Sequence, residues 1–132
     1  MNRPDVLNEE TVRSLPDGGP VTMLNLVRFR AASADGDGSG WDAYLRYSRL
    51  TAPLIKARGG TVLWAGTVEG AAFGDPGKRW DYAVLVMYPS RAAFLDMVTS
   101  PDYARANVHR EAGAEEHLIL ATNQTYSKLA KG

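Results

Sequence analysis

A chain of 132 residues with no cysteine and with 15 basic side chains matched by 15 acidic ones has enough material for one packed domain and too little for two. The formal net charge of zero argues against a nucleic-acid partner, because following a phosphate backbone requires a basic surface. Without cysteine, disulfides, thiol nucleophiles and cysteine-based metal centres are excluded. No apolar stretch resembles a signal peptide or a membrane span, so we expect a cytoplasmic protein without a membrane partner.

The predicted elements of the first half begin with a short helix over residues 9–15, for which Asn8 is a candidate N-cap. Together with its turn, this helix forms an N-terminal extension over residues 1–19. A strand over residues 21–29 and a loop rich in Gly, Asp and Ser follow. Ser39 is placed to cap the next helix, predicted over residues 41–58 from apolar residues at helical spacing.

The second half contains two strands, over residues 61–68 and 81–88, joined by a turn-rich connection. Ser90 begins a helix, and a Ser-Pro-Asp turn at residues 100–102 restarts it as far as residue 112. A last strand, residues 116–126, closes a βαββαβ order. This order predicts an α+β, ferredoxin-like core over residues 20–126, with a four-stranded antiparallel sheet and helices on one face.

Both faces of the predicted strands are apolar. In the first strand, Met23 and Val27 point to one side while Leu24 and Leu26 point to the other, because strand side chains alternate. Two amphipathic helices cover only one face of such a sheet. We therefore expect a homodimer in which the other face packs against a second copy of the same sheet.

Asn25 stands out as an amide in the middle of an apolar strand, on the same face as Met23 and Val27. Burying an unpaired amide costs about 1–3 kcal/mol, so the side chain must have a partner. Two interpretations stay open, an amide that faces a ligand and an amide that bonds to a loop or a neighbouring strand.

Several aromatic residues are candidates for a pocket wall, because aromatic side chains with a few polar groups are the usual lining of small-molecule sites. The predicted substrate-binding residues are Trp64, Tyr47 and Arg28. Packing in the core is the alternative explanation for the aromatic members of this set.

The predicted catalytic residues are His109, Arg110 and Asn25. His109 would act as a general base, since imidazole titrates near neutrality, and Arg110 would stabilise a developing oxyanion. The alternative is that a histidine near a helix end only compensates the helix dipole. We expect no metal site and no cofactor, because no nucleotide-binding or metal-binding spacing is present.

Several short segments in one order resemble the family of domain of unknown function 1330, within the dimeric αβ-barrel superfamily. The resemblance covers residues 20–122, and its segments are Leu24 to Phe29, Tyr44, Pro53, Gly59-Gly60, Trp64 to Gly66, Trp80-Asp81, Tyr88 to Arg91 with Phe94, Pro101 with Tyr103, and Arg110. It implies a ferredoxin-like protomer that dimerises sheet against sheet. The superfamily includes cofactor-free monooxygenases, isomerases and haem-degrading enzymes, so the fold alone does not select a reaction.

The sequence therefore favours a homodimeric αβ-barrel that binds a small organic molecule between sheet and helices. The preferred hypothesis is a cofactor-independent isomerase or monooxygenase that abstracts a proton from an acidic carbon. The alternatives are a non-catalytic ligand-binding or stress-response module and a structural dimer with a filled core. A haem-degrading monooxygenase, with Asn25 and Trp64 in the haem pocket, is a further alternative that the resemblance implies.

Overall fold

The computed structural model describes residues 7–16 and 18–129. Along the chain, the elements are α1 (Glu9–Ser14), β1 (Val21–Phe29), α2 (Gly40–Ala57), β2 (Thr61–Thr67), β3 (Tyr82–Tyr88), α3 (Arg91–Val98), α4 (Pro101–Gly113) and β4 (Ala114–Thr122). All eight elements begin within two residues of the predicted positions, including the restart of the second helical segment at Pro101. The last strand ends four residues earlier than expected, at Thr122.

The four strands form one antiparallel sheet in the order β2-β3-β1-β4. This arrangement confirms the predicted ferredoxin-like α+β fold. The central strand β1 pairs with β3 on one side, where Asn25 lies opposite Val84. On its other side β1 pairs with β4, where Val27 lies opposite His117. The register therefore places Asn25, Val27, Val84 and His117 on the same face of the sheet.

Serine side chains begin the three long helices, as the sequence predicts. At the start of α2, Asp42 N donates to Ser39 Oγ over 3.1 Å, and the carboxylate of Asp42 accepts from the Ser39 backbone N–H over 2.9 Å. This reciprocal capping box satisfies two donors that a helix start leaves open. Ser90 Oγ accepts from the Ala93 N–H over 3.0 Å and Ser100 Oγ accepts from the Tyr103 N–H over 3.2 Å, so these serines cap α3 and α4 through their side chains.

The hydrophobic core lies between one face of the sheet and helices α2, α3 and α4. Val21, Met23 and Val27 of β1 are at most 2% exposed at its centre. Helices α2 and α4 meet at Gly40 and Gly113, where a Cβ on Gly40 would lie 2.6 Å from the Gly113 carbonyl oxygen. These glycines permit the backbones of α2 and α4 to approach closely at this point.

The sheet face turned away from the helices is apolar and partly exposed. Leu24 lies between Leu85 of β3 and Leu120 of β4, and Leu120 is 45% exposed. Trp64 of β2 pairs with Leu85 and is 47% exposed. The two-sided apolar pattern predicted from the sequence is thus present, and one side lacks a cover among the described residues.

Candidate functional site

The buried amide of Asn25 has three hydrogen-bonding contacts. Its Nδ2 donates to the backbone carbonyls of Met23 over 3.2 Å and Val84 over 3.4 Å. Its Oδ1 lies 2.9 Å from Nε2 of His117, which is 3% exposed. Because the amide nitrogen is engaged with two acceptors, Oδ1 faces the histidine and Nε2 must carry the hydrogen. Of the two sequence interpretations, the contact to a neighbouring strand applies to Asn25, and the partner is itself a candidate site residue.

The second nitrogen of His117 faces α4. Its Nδ1 lies 3.4 Å from Nη1 of Arg110, and Arg110 can only donate. Burial, together with the positive charge of Arg110, lowers the pKa of His117 from 6.5 to about 3. His117 is therefore neutral at physiological pH, with its hydrogen on Nε2 and its lone pair on Nδ1.

Arg110 is held on a second side by its own helix. Its Nε donates to Oδ1 of Asn107 over 2.6 Å, and Nδ2 of Asn107 donates to Glu111 over 3.0 Å. Residues three and four apart share one face of a helix, so this face of α4 presents Asn107, Arg110 and Glu111 together. The arginine thereby joins a surface network on α4 to the buried Asn25 and His117 pair.

A pocket of about 450 Å³ opens beside this network, between β4 and helices α1, α3 and α4. Its polar end contains His117, Arg110, Asn107, Glu111 and Tyr103. The rest of its lining combines apolar side chains with Asn8 and Thr11, and its apolar members include Val12, Leu15, Met23, Phe94, Val98 and Ile119. A second cavity of about 410 Å³ lies between α1 and α3, and its lining includes neither Asn25 nor His117.

Tyr47 lies behind the pocket wall. Its hydroxyl is 2.8 Å from that of Tyr103, and Tyr103 itself lines the pocket. Burial raises the pKa of Tyr47 well above its ordinary value, so the phenol stays protonated. The structure thus places this predicted substrate-binding residue in the core, one side chain away from the pocket.

His109, the predicted general base, lies outside the pocket lining. It is half-buried on another face of α4, where Nε of Arg46 from α2 donates to its Nδ1 over 3.3 Å. Successive helix residues are rotated by about 100°, so His109 faces α2 while Arg110 faces the sheet. Of the predicted catalytic set, the structure brings together Asn25 and Arg110, with His117 in the position proposed for His109.

Trp64 and Arg28, predicted to bind substrate, do not lie between sheet and helices. Trp64 shares the opposite face of the sheet with Leu85. Arg28 forms ion pairs with Glu115 and Glu116 of β4, each over 3.0 Å. The strand alternation that directs Asn25 towards the helices directs Arg28, three residues later, away from them.

The haem-degrading arrangement requires Asn25 and Trp64 in one pocket. In this structure they lie on opposite faces of the sheet, and Asn107 rather than a histidine points into the pocket from α4. These residues do not fit a haem. Within the described ranges 7–16 and 18–129, no cluster of three or more His, Cys, Asp or Glu side chains is placed to hold a metal ion. Over the same ranges, no helix has the length and apolar character to cross a membrane.

Comparison with known proteins gives a family match and several similar structures. The model of a family described as Domain of unknown function (DUF1330) matches residues 39–124. No curated protein matches the chain significantly. A crystal structure of a protein of unknown function from Rhodopseudomonas palustris is 34% identical with a TM-score of 0.85, over 96% of this chain and 100% of that one.

Two more distant structures share the fold. A protein from Bacteroides fragilis, described as dimeric with a ferredoxin-like fold, is 12% identical with a TM-score of 0.54, over 80% of this chain and 96% of that one. SnoaB from Streptomyces nogalater, described as a cofactor-independent oxygenase, is 16% identical with a TM-score of 0.50, over 82% of this chain and 97% of that one. At such identities the likeness concerns the fold alone.

Proposed function

This chain belongs to the DUF1330 family and has a ferredoxin-like fold, and we propose that it binds a small, partly apolar organic molecule between its sheet and its helices. The observation that carries this proposal is the pocket of about 450 Å³, whose lining combines apolar side chains with polar groups that include His117 and Arg110. A cavity with an apolar body and a few convergent polar groups is the usual form of a small-molecule site.

The proposal is tested by protein-observed NMR with a library of soluble fragments of fewer than about 15 non-hydrogen atoms, a size at which the best fragments give measurable affinity. Binding fragments are expected to shift the amide signals of pocket residues such as Ile119 and Val98. The substitution Ala104→Trp places a large ring against the pocket lining and should abolish these shifts. Ala71→Trp, in the exposed β2–β3 connection, is the matched control and should retain them. A library without any pocket-directed hit would refute the proposal.

A second candidate function is cofactor-independent catalysis of proton abstraction, as in an isomerase or an oxygenase. The observation in its favour is a neutral imidazole beside a guanidinium at the pocket's polar end. The proton would pass from a substrate carbon to Nδ1 of His117 after Arg110 rotates away from that nitrogen, and Arg110 would stabilise the enolate oxygen. A pKa of about 3 makes His117 a weak base, and for this reason we place binding without turnover first.

Hydrogen–deuterium exchange separates these two functions. Pocket-binding ketones found in the library are incubated with the protein in D₂O, and loss of the α-hydrogen signal is followed by proton NMR. Catalysis predicts exchange above the buffer rate that His117→Gln abolishes and that His109→Gln retains. A rate equal to that in buffer alone would support the binding module and reject proton abstraction for those compounds.

The homodimer through the uncovered sheet face is also a proposal. It is supported by the apolar row of Leu24, Leu85 and Leu120 on that face, and by the dimer described for the Bacteroides fragilis protein of the same fold. Light scattering should give twice the protomer mass of 14.3 kDa. Leu24→Asp should halve the mass, while Val108→Asp on α4, where Val108 is 59% exposed, should leave it unchanged. A wild-type monomer would refute this arrangement.

A further inference from the structure

A directed chain of hydrogen bonds leads from the backbone of the sheet to the guanidinium at the pocket. It begins at the Val84 carbonyl, which accepts from Asn25, and passes through His117 to Arg110. Each link has one possible direction. The engaged amide nitrogen leaves Asn25 as an acceptor towards His117, and the histidine must then present its lone pair to Arg110.

The guanidinium of Arg110 is therefore oriented at two separate points. His117 accepts from Nη1 on the sheet side, and Asn107 accepts from Nε on the helix side over 2.6 Å. A planar guanidinium fixed at two of its nitrogens has its plane determined. Within the described part of the chain, the hydrogen-bonding contact of this buried pair with α4 runs from His117 to Arg110, and the polarity of the pair acts on α4 through that contact.

The positive and negative side chains of the pocket lie at different places along it. Among the described residues of the lining, Arg110 and Glu111 carry charge, since His117 is neutral. Glu111 is exposed and accepts from Asn107, so its negative charge lies at the solvent side. Arg110 is half-buried beside His117 and places a positive charge at the inner polar end. A ligand that lies along the apolar wall would meet the guanidinium with its terminal group.

We propose that the pocket selects a small carboxylic acid, with its carboxylate on Arg110 and its apolar body between β4 and α1, and that Asn25 and His117 are positioning residues for this arginine. The proposal rests on the proposed binding function and adds the ligand class. A carboxylate fits because one planar guanidinium matches its two oxygens. No lysine and no second arginine lines this pocket among the described residues, which disfavours phosphate esters.

The test compares acids with their uncharged amides. The probes are hexanoate, octanoate and 4-phenylbutanoate, each beside its primary amide, titrated calorimetrically into the full-length protein at pH 7. The wild type should bind each acid at least about tenfold more tightly than its amide, since hydrogen bonds to an ionised group are roughly twice as strong as neutral ones. Arg110→Gln should reduce the ratio of acid to amide affinity to about one.

The positioning role is tested by rescue. His117→Gln keeps a donor for Asn25 and an acceptor for Arg110, so this variant should retain most of the preference for acids. His117→Leu leaves a pocket of similar size but removes both polar atoms, so it should lose the preference. A purely structural role would reduce affinity for acids and amides alike and leave their ratio unchanged. Where His117→Leu fails to fold, nitrogen-15 NMR of the wild type replaces it. A hydrogen on Nε2 is expected, and a hydrogen on Nδ1 would overturn the proposed chain.

The outcomes distinguish the carboxylate proposal from the proposed small-molecule binding. Equal affinity of acids and amides for the wild type would overturn the carboxylate proposal and leave small-molecule binding intact. Absence of binding by every acid and every amide, together with a fragment library free of pocket hits, would overturn both. An acid preference that persists in Arg110→Gln would remove Arg110 from the site.

Discussion

Acidification should destabilise this protein through His117 in a pH range where few other groups titrate. Burial and the charge of Arg110 lower the pKa of His117 from 6.5 in the unfolded chain to about 3 in the folded one. Between these values the unfolded state binds one more proton than the native state. The contribution of a neutral His117 to the free energy of unfolding is fully present above pH 6.5. It is lost progressively as the pH decreases, and the loss ends near pH 3.

The expected magnitude follows from the linkage slope of about 1.4 kcal/mol per pH unit for one proton. From pH 6.5 to pH 5.0 the free energy of unfolding should decrease by about 2 kcal/mol. The window ends at pH 5.0 so that two stabilised carboxylates stay ionised within it. A hydrogen bond with Ser33 lowers the pKa of Asp35 from 3.8, and hydrogen bonds with Ser39 lower the pKa of Asp42 from the same value. Those two carboxylates therefore contribute their own loss of stability only below this window.

Urea unfolding at fixed protein concentration, at pH 7.0, 6.5, 6.0, 5.5 and 5.0, measures the slope, and fixed concentration is needed because a dimer's stability depends on it. His117→Gln cannot take up the proton, so the slope of the wild type should exceed that of His117→Gln by an amount that approaches about 1.4 kcal/mol per pH unit at the acidic end of the series. His109→Gln is the matched control at the other histidine and should keep the His117 contribution. Equal slopes in the wild type and His117→Gln would refute a neutral, buried His117.

Three further predictions concern stability. Gly40→Ala places a Cβ 2.2 Å from the Arg30 carbonyl oxygen and should cost about 2 kcal/mol or more, whereas Gly70→Ala meets nothing within 4 Å and should change the unfolding midpoint little. Arg46→Ala removes contacts to the 31–39 loop and His109 and should lower the free energy of unfolding by about 1 kcal/mol. Arg49→Ala, at an exposed position of the same helix, is the control and should leave it nearly unchanged. Tyr47→Phe leaves the Tyr103 hydroxyl without its 2.8 Å partner and should cost about 1 kcal/mol by denaturant unfolding.

Much of the fold was predictable because its signals are local. Ser39 with Asp42 three residues later is a capping box in the sequence as well as in the structure, and it marks the start of α2. Alternation in β1 correctly divided its residues between two faces, with Met23 in the core and Leu24 on the uncovered side. Such features depend on residues near one another in the chain, and for this reason they are accessible to inspection.

The site was predictable only in part because it depends on register. Asn25 was identifiable as an amide that required a partner, but the partner is 92 positions away. Its identity follows from the pairing of β1 with β4, which places His117 opposite Val27. Of the two histidines, the sequence favours His109 as the base because it stands beside Arg110. Its position on α4 turns it towards α2. In β4, by contrast, side-chain alternation directs His117 and Ile119 to the face of the sheet that the helices cover.

The buried pair itself argues for a function beyond folding. An amide and an imidazole in the core gain little over apolar residues of similar size, even when every donor and acceptor is satisfied. Asn25 and His117 satisfy one another and the sheet backbone, which limits their cost without making them stabilising. An apolar pair would form hydrogen bonds neither within itself nor with Arg110, and it would lack the contact from Nδ1 of His117 to Arg110 at the pocket. Under the proposed positioning role, that contact orients the arginine, and the polarity inside β1 and β4 then serves the pocket.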